Sequence, residues 1–520
     1  MSCIWLVYII YYEGNIVMID FMKLQHGGDI RGIAPEGAAG EEVNLTEEVA
    51  GAIAGSFAYW LGFQVCKNPY DLRICVGQDP RLSGDTLKSG LLKGIAMFGA
   101  EGYDAGLSTT PAMFMSTILP QLDFDGAIMI TASHLPGKRN GFKFFTKNGV
   151  LAKEDVAKIL KTASKYNFVG EFYEERYTNA LQMYAAYLRQ MLSLGLRDVP
   201  GGLAGMHIIV NAGNGAGGFF AKEVLEPMGA DISGSLLLEP DGNFPNHEPD
   251  PDNKEALEAT SKAVVENSAD LGFVFDADAG RMAVIGPDGK PVTGSAFIAL
   301  AAALASDDYP GGTVVTDSAT SCGLTEFLEG KLGLKHLRYK SGCRNAIGKA
   351  KELNAELGED CPEKAFLAAT TSGHAAYSDN YYFDDGAFLA LQIVINAAKL
   401  KKDSKNINAL IDGFEAPAES RKISFRLNAD DFAQAGGQLL EDMEKWVRDT
   451  AGMELEVPNY EGVRVNYKVP PANQGWFLLR KSLHEPFMSL DIESDAEGGV
   501  DAVLPVIYDF LGKYEGVELP

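Results

Sequence analysis

Thirteen residues, Thr131-Ala-Ser-His-Leu-Pro-Gly-Lys-Arg-Asn-Gly-Phe-Lys143, bring together a hydroxyl nucleophile, Ser133, an imidazole, His134, two glycines and three cations. They directly follow the apolar run 126–130, which reads as a buried strand. In open α/β sheets ligands bind beyond the carboxyl ends of strands. Such a mixture is costly in an ordinary loop, which makes this segment the first candidate for an active site.

A second constellation, Asp276-Ala-Asp-Ala-Gly-Arg281, follows the apolar run 271–275. Two carboxylates at alternate positions of a tight turn, joined by a phosphate oxygen, make a hard oxygen site suited to Mg²⁺.

These segments need elements to position them. Strand-like runs alternate with amphipathic helix-like runs as far as about residue 400, the signature of βαβ units and mostly parallel sheets. Residues 74–77 read as a strand. Residues 85–98 read as a helix, with Leu87, Leu91, Ile95 and Phe98 at helical spacing. The run 207–211 leads into the glycine-rich turn 213–218 and then a helix. Residues 313–316 precede a helix near 322–332. The unit recurs, which predicts three related α/β domains. Beyond about residue 415 the texture changes: strand-like 422–427, helix-like 432–450, then strand-like 463–467, 475–479 and 488–492 predict a smaller α+β domain. The polar stretch 403–420, with Gly413 and Pro417, reads as a linker.

The 520 residues suffice for about three or four domains. A net charge of −26 argues against nonspecific binding to nucleic acid or to an anionic membrane. An anionic substrate must therefore be drawn in by a local cationic site, which Lys138, Arg139 and Lys143 could begin. Six scattered cysteines without a CxxC pair fit a reducing compartment and no structural zinc. The apolar stretch 4–12 is too short to span a bilayer and lacks the basic flank of a signal peptide. Met18 or Met22 could be the natural start, and cytoplasm is the default location.

The serine segment resembles the active-site loop of the α-D-phosphohexomutases (phosphoglucomutase, phosphomannomutase and phosphoglucosamine mutase), usually T-A-S-H-N-P-x-x-x-N-G-x-K, with Leu135 in place of Asn. The resemblance extends over roughly residues 23–495. The family's metal loop is D-x-D-x-D-R; Asp276, Asp278 and Arg281 match it, and Gly280 stands where the third aspartate belongs. Its sugar loop is G-E-x-S-G-H; Ser372, Gly373 and His374 match, with Thr370 at the glutamate. Its phosphate loop is R-x-S-G-T-E-P-x-x-R; Arg480, Ser482, Glu485 and Pro486 match. Leu483, His484 and Ser489 replace Gly, Thr and the last Arg. Gly28-Asp-Ile-Arg-Gly32, Val76-Gly-Gln-Asp-Pro-Arg-Leu-Ser83, Thr110-Pro111 and Asp241-Gly-Asn-Phe-Pro-Asn-His247 resemble further family segments in the expected order.

The resemblance implies three related mixed α/β domains and a smaller α+β C-terminal domain around a central cleft. The division would be an extension 1–22, then 23–195, 196–300, 301–415 and 416–520. It implies reversible phosphoryl transfer between the 1- and 6-positions of a phosphohexose, with a hexose 1,6-bisphosphate as intermediate and activator. Ser133 would carry the phosphoryl group, with Mg²⁺ on Ser133, Asp276 and Asp278. Arg31 and Arg281 would offset charge, His134 would support the loop, and Lys143 and His374 would move the hydroxyl proton. Arg344, Ser372, Gly373, Arg480, Ser482 and His484 would bind substrate. Three altered loops leave two other readings open: a slow enzyme that leaks phosphate to water, and a phosphosugar-binding protein without turnover. Neither the particular sugar nor the oligomeric state can be read from the chain.

Overall fold

The computed structural model describes residues 8–12, 15–35, 41–165, 170–358, 361–468, 474–482 and 486–520. Two compact units emerge: 1–292 with 383–407, and 293–382 with 408–520. The helix Gly386–Lys401, which the sequence division places in the third domain, therefore packs within the first unit.

In the first unit, strands Gly126–Ile130, Arg73–Gln78 and Glu101–Leu107 run parallel. Strand Arg139–Thr146 returns antiparallel beside Gly126–Ile130 and pairs on its other edge with Asp29–Ile33. Every residue of Gly126–Ile130 is buried, as expected of a strand covered on both faces. The helix Glu47–Val65 begins at Thr46, whose hydroxyl accepts from the Val49 N–H, with Glu47 and Glu48 favourably placed in its first turn. It packs very closely on Gly84–Phe98: a Cβ at Gly94 would lie 2.0 Å from the Gly51 carbonyl oxygen, so only glycine permits that crossing. A second sheet pairs Ile208–Asn211 parallel to Leu271–Phe275, with Met282–Ile285 and Pro291–Val292 added antiparallel.

The second unit holds parallel strands Lys335–Arg338, Thr313–Thr316 and Ala365–Ala369, extended by antiparallel Ala375–Tyr377. Its other sheet pairs antiparallel throughout, from Met453–Leu455 to Val517–Glu518. The helices Phe432–Asp449 and Gly499–Leu511 share a core with it that includes Leu439, Met443, Phe477, Leu490 and Ile507. This is the smaller α+β element expected from the sequence. Arg464, 2 % exposed, ties the two sheets together. It donates to the carbonyls of Ser318 and Thr320 and pairs with Glu456, which also accepts from Arg338.

Among the described residues no helix is long and apolar enough to cross a membrane. The described cysteines, Cys66, Cys75, Cys322, Cys343 and Cys361, are free thiols.

Candidate active site

The first unit brings the two richest segments into contact. At the end of strand Gly126–Ile130, the Thr131 N–H donates to the Gly141 carbonyl (3.0 Å), and the Thr131 hydroxyl donates to Asp79 (2.7 Å) while accepting from the Ser133 N–H (2.8 Å). Ser133 is left with φ +54°, a left-handed conformation that non-glycine residues rarely adopt and that concentrates at functional sites. From there its Oγ donates to Asp276 Oδ2 at 2.8 Å.

The aspartate loop leaves strand Leu271–Phe275 and returns as Met282–Ile285, with Ala279 also left-handed at φ +51°. Asp276 and Asp278 are both fully buried. Asp278 Oδ2 accepts from Lys143 Nζ (2.8 Å) and from the Thr110 hydroxyl (2.5 Å), and the Thr110 N–H donates to the Asp278 carbonyl (2.9 Å). Asp276 Oδ1 accepts from the Arg281 N–H (3.0 Å). The Arg281 side chain also pairs with Asp250 at 3.1 Å. Behind the loop, the Gly386 N–H donates to the Gly280 carbonyl. A Cβ at Gly386 would lie 2.8 Å from the Arg281 carbonyl carbon, so that approach requires glycine.

The environment separates the two acids. Burial, then the neighbouring Asp278 charge, pushes the Asp276 carboxyl up to about 7 against the pull of Arg281. Burial alone would raise Asp278 too, but the Lys143 ammonium and the hydroxyl of Thr110 hold it well below the usual carboxylate range. The donor set fits a hard divalent cation: Asp278 Oδ1 is buried and accepts no hydrogen bond, beside a second carboxylate and a serine oxygen. Such an orphaned acceptor is costly unless a ligand satisfies it. Gly280, at the place of the family's third aspartate, leaves room: a Cβ there meets only Asp278 Oδ1, at 3.7 Å.

The other predicted residues fall as follows. Arg31 lies beside the serine loop, donating to the Thr131 carbonyl and pairing with Asp29 (2.9 Å). His134 presents one face to solvent; its partial desolvation and the Arg281 and Arg31 cations hold its pKa below the ordinary imidazole value. The expected three-cation cluster is corrected by the structure. Lys138 and Arg139 both turn to Glu41, and only Lys143 reaches the aspartates. The family loop also runs into a strand, because Asn140, Gly141 and Lys143 belong to Arg139–Thr146.

His374, Ser372, Gly373 and Arg344 lie in the second unit. Gly373 (φ +82°) makes the tight turn that the Thr370 N–H closes by donating to the His374 carbonyl at 3.0 Å. Thr370 is 1 % exposed, and its Oγ1 lies 3.0 Å from the Ser372 hydroxyl, so its side chain supports Ser372. Arg344 is exposed in the first turn of helix Cys343–Leu357. Arg480 pairs with Asp491 at 3.3 Å, and the Ser482 N–H closes its turn on the Phe487 carbonyl. His484 lies outside the described residues.

Sequence reasoning gave no role to Thr110, Asp79 or Gly386. The first two lie in short segments matched to the family, and for Asp79 an acid directly after an apolar strand was the available signal. Nothing local marks Gly386.

Residues 22–169, 183–289 and 293–414 match the phosphoglucomutase/phosphomannomutase α/β/α domains I, II and III. A phosphomannomutase/phosphoglucomutase of Pseudomonas putida is 29% identical over 454 residues, 86% of this chain and 90% of the relative. A phosphoglucosamine mutase of Sphingopyxis alaskensis is 27% identical over 90% of this chain and 95% of its own. Among solved structures, a phosphoglucomutase/phosphomannomutase family protein of Burkholderia thailandensis shares the fold with a TM-score of 0.77 at 24% identity, over 97% of this chain and 100% of that one. These matches run through the serine and aspartate loops alike. The chain belongs to the α-D-phosphohexomutases, enzymes that transfer a phosphoryl group between the 1- and 6-positions of a hexose phosphate.

Proposed function

We propose that this enzyme interconverts the 1- and 6-phosphates of a hexose through phospho-Ser133 and a hexose 1,6-bisphosphate. The observation that carries the assignment is the Ser133 hydroxyl aimed at Asp276, with Lys143 on Asp278 beside it. In the first half-reaction the Ser133 Oγ–P bond breaks as a sugar oxygen forms its bond to phosphorus. In the second, Ser133 takes the phosphoryl group from the other end of the bisphosphate. Such transfer depends on alignment and charge neutralisation. Arg31 and Arg281 flank the loops and offset the charge that develops. We assign movement of the sugar hydroxyl proton to Lys143 and His374, and support of the serine loop to His134.

Asp276, Asp278 and Ser133 would hold Mg²⁺, which supplies Lewis-acid neutralisation of the phosphoryl oxygens. Asp278 Oδ1 supports this, being buried and unpartnered by protein. Arg344, Ser372, Gly373, Arg480, Ser482 and His484 are assigned to the phosphohexose. The domain division 23–195, 196–300, 301–415 and 416–520, after an extension 1–22, belongs to the same proposal. The three matched family segments and the antiparallel C-terminal sheet support it. Free thiols support a cytoplasmic location.

The test is ³¹P NMR of the protein with Mg²⁺, a trace of hexose 1,6-bisphosphate, and glucose, mannose or glucosamine 1-phosphate in turn. The expected result is a 6-phosphate resonance that Ser133→Ala abolishes and that identifies the sugar. Inorganic phosphate in its place would mean hydrolysis, and unchanged spectra throughout would defeat the mutase reading for these sugars.

A further inference from the structure

We infer that Arg81 is a positioning residue for phosphoryl transfer, holding the serine loop in the conformation in which Ser133 reaches Asp276. The inference rests on the proposed role of Ser133 and adds a residue that touches neither substrate nor metal.

Arginine carries five N–H donors in a rigid planar fork. Here all five are used. Nε donates to Asp79 Oδ2 (3.0 Å), Nη1 to the carbonyls of Pro136 (2.7 Å) and Arg139 (3.0 Å), and Nη2 to those of Ser133 (2.7 Å) and Leu135 (2.7 Å). The side chain is fully buried, so it cannot meet a substrate. The Phe244 ring covers the guanidinium at 5.3 Å. The backbone of Arg81 bridges to Gly242 in the same segment.

Four carbonyls of one seven-residue loop thus converge on one cation. A second path reaches the same place: Asp79 accepts from the Thr131 hydroxyl, which accepts from the Ser133 N–H. The left-handed backbone of Ser133 persists only where its surroundings over-determine it. Arg81 and Asp79 provide that determination from both sides of the serine. A fully buried arginine spent on carbonyls is expensive unless its geometry matters. Lysine in its place keeps the charge for Asp79 but offers three donors from one point, so it cannot span the loop.

The test measures single-turnover phosphoryl transfer from hexose 1,6-bisphosphate to Ser133 in the full-length protein. It compares wild type with Arg81→Lys and Thr131→Val, alongside KM for the hexose phosphate. A misplacement of about 1 Å costs about a hundredfold in rate. Arg81→Lys is therefore expected to slow transfer about a hundredfold, with KM within about twofold of wild type. Thr131→Val, which breaks only the second path, is expected to show the same split at about tenfold. Wild-type transfer rates in Arg81→Lys overturn the inference. So does a parallel loss of transfer and of apparent affinity (KM) for the hexose phosphate, which would mark Arg81 as a fold-stabilising residue only. Should Arg81→Lys fail to fold, Thr131→Val decides alone: the split supports the inference and its absence overturns it. A wild-type protein that leaves Ser133 unphosphorylated would instead defeat the proposed function.

Discussion

The two units treat their departures from the family pattern differently. In the first, side chains from separate segments converge on two buried carboxylates: Ser133 on Asp276, and Lys143 and Thr110 on Asp278. The missing third aspartate leaves open space beside an unpartnered oxygen, with the rest of the cluster intact. In the second unit the contacts secure separate turns and strands, with no shared cluster of carboxylates among the described residues. Thr370 is folded inward against Ser372, Asp317 anchors Thr371 through two hydrogen bonds, and Arg480 pairs with Asp491 along the sheet. Long-range contacts thus converge on a shared pair of acidic side chains in the first unit, whereas in the second they secure individual turns. Substitutions at the serine and aspartate loops should therefore change rate, and those at the second unit's proposed binding residues, His374 apart, should change affinity.

The strongest way to break this contrast is Asp278→Asn. It removes the anionic partner of Lys143 and one of the oxygens proposed for Mg²⁺ together. Losing residues that merely support metal ligands costs about 10- to 100-fold. We therefore expect Asp278→Asn to lower both Mg²⁺ affinity and kcat by about a hundredfold or more, as measured by calorimetry and steady-state kinetics. Unchanged metal affinity would remove Asp278 from the site.

Gly280→Asp sharpens the same point from the other side. The position is open and carries no positive φ, so a Cβ can be placed without strain. We expect about tenfold tighter Mg²⁺ binding, since each ~1.4 kcal/mol of added stabilisation is a factor of ten. A variant that folds normally yet binds Mg²⁺ no better would show that the family's third ligand is not what this site lacks.

In the second unit, Ser372→Ala should act on affinity. One neutral hydrogen bond contributes about 0.5–1.5 kcal/mol. KM for the hexose phosphate should therefore rise about two- to tenfold at unchanged kcat. A fall in kcat alone would contradict the division of labour between the units.

A further effect, outside the proposed site, concerns stability. Burial pushes the Glu493 carboxyl up to about 7, although it accepts from the Trp476 indole N–H at 2.7 Å. Between the ordinary carboxylate range and pH 7 the folded state holds this proton more tightly than the unfolded chain does. Stability should then fall as pH rises through that window. Glu493→Gln should flatten the fall, by at most about 3 kcal/mol, in denaturant melts at pH 5 and pH 8. Parallel pH profiles for the two proteins would show that Glu493 is not the group responsible.

Much of this was legible in the chain, for reasons that particular residues make plain. The buried strand before Ser133 and the alternating carboxylates of the aspartate loop are local patterns, and the structure places them as read. The C-terminal antiparallel sheet was also announced by a change of texture near residue 415. Arg81 was not legible as a buried group. Charged residues are almost never fully buried unless paired, and its four carbonyl partners lie 52 to 58 residues further along the chain. Lys138 and Arg139 looked like part of an anion site because spacing does not reveal that Glu41 claims them. The place of helix Gly386–Lys401 in the first unit depends on packing that hydrophobic periodicity cannot specify.

The most direct test of the central claim is peptide mass spectrometry of the protein after incubation with hexose 1,6-bisphosphate and Mg²⁺, before and after adding an excess of hexose 1-phosphate. Transfer through phospho-Ser133 predicts one phosphoryl group on the peptide containing Ser133, discharged by the sugar, and none in Ser133→Ala. Sugar-phosphate turnover with Ser133 unmodified, or persisting in Ser133→Ala, would contradict it.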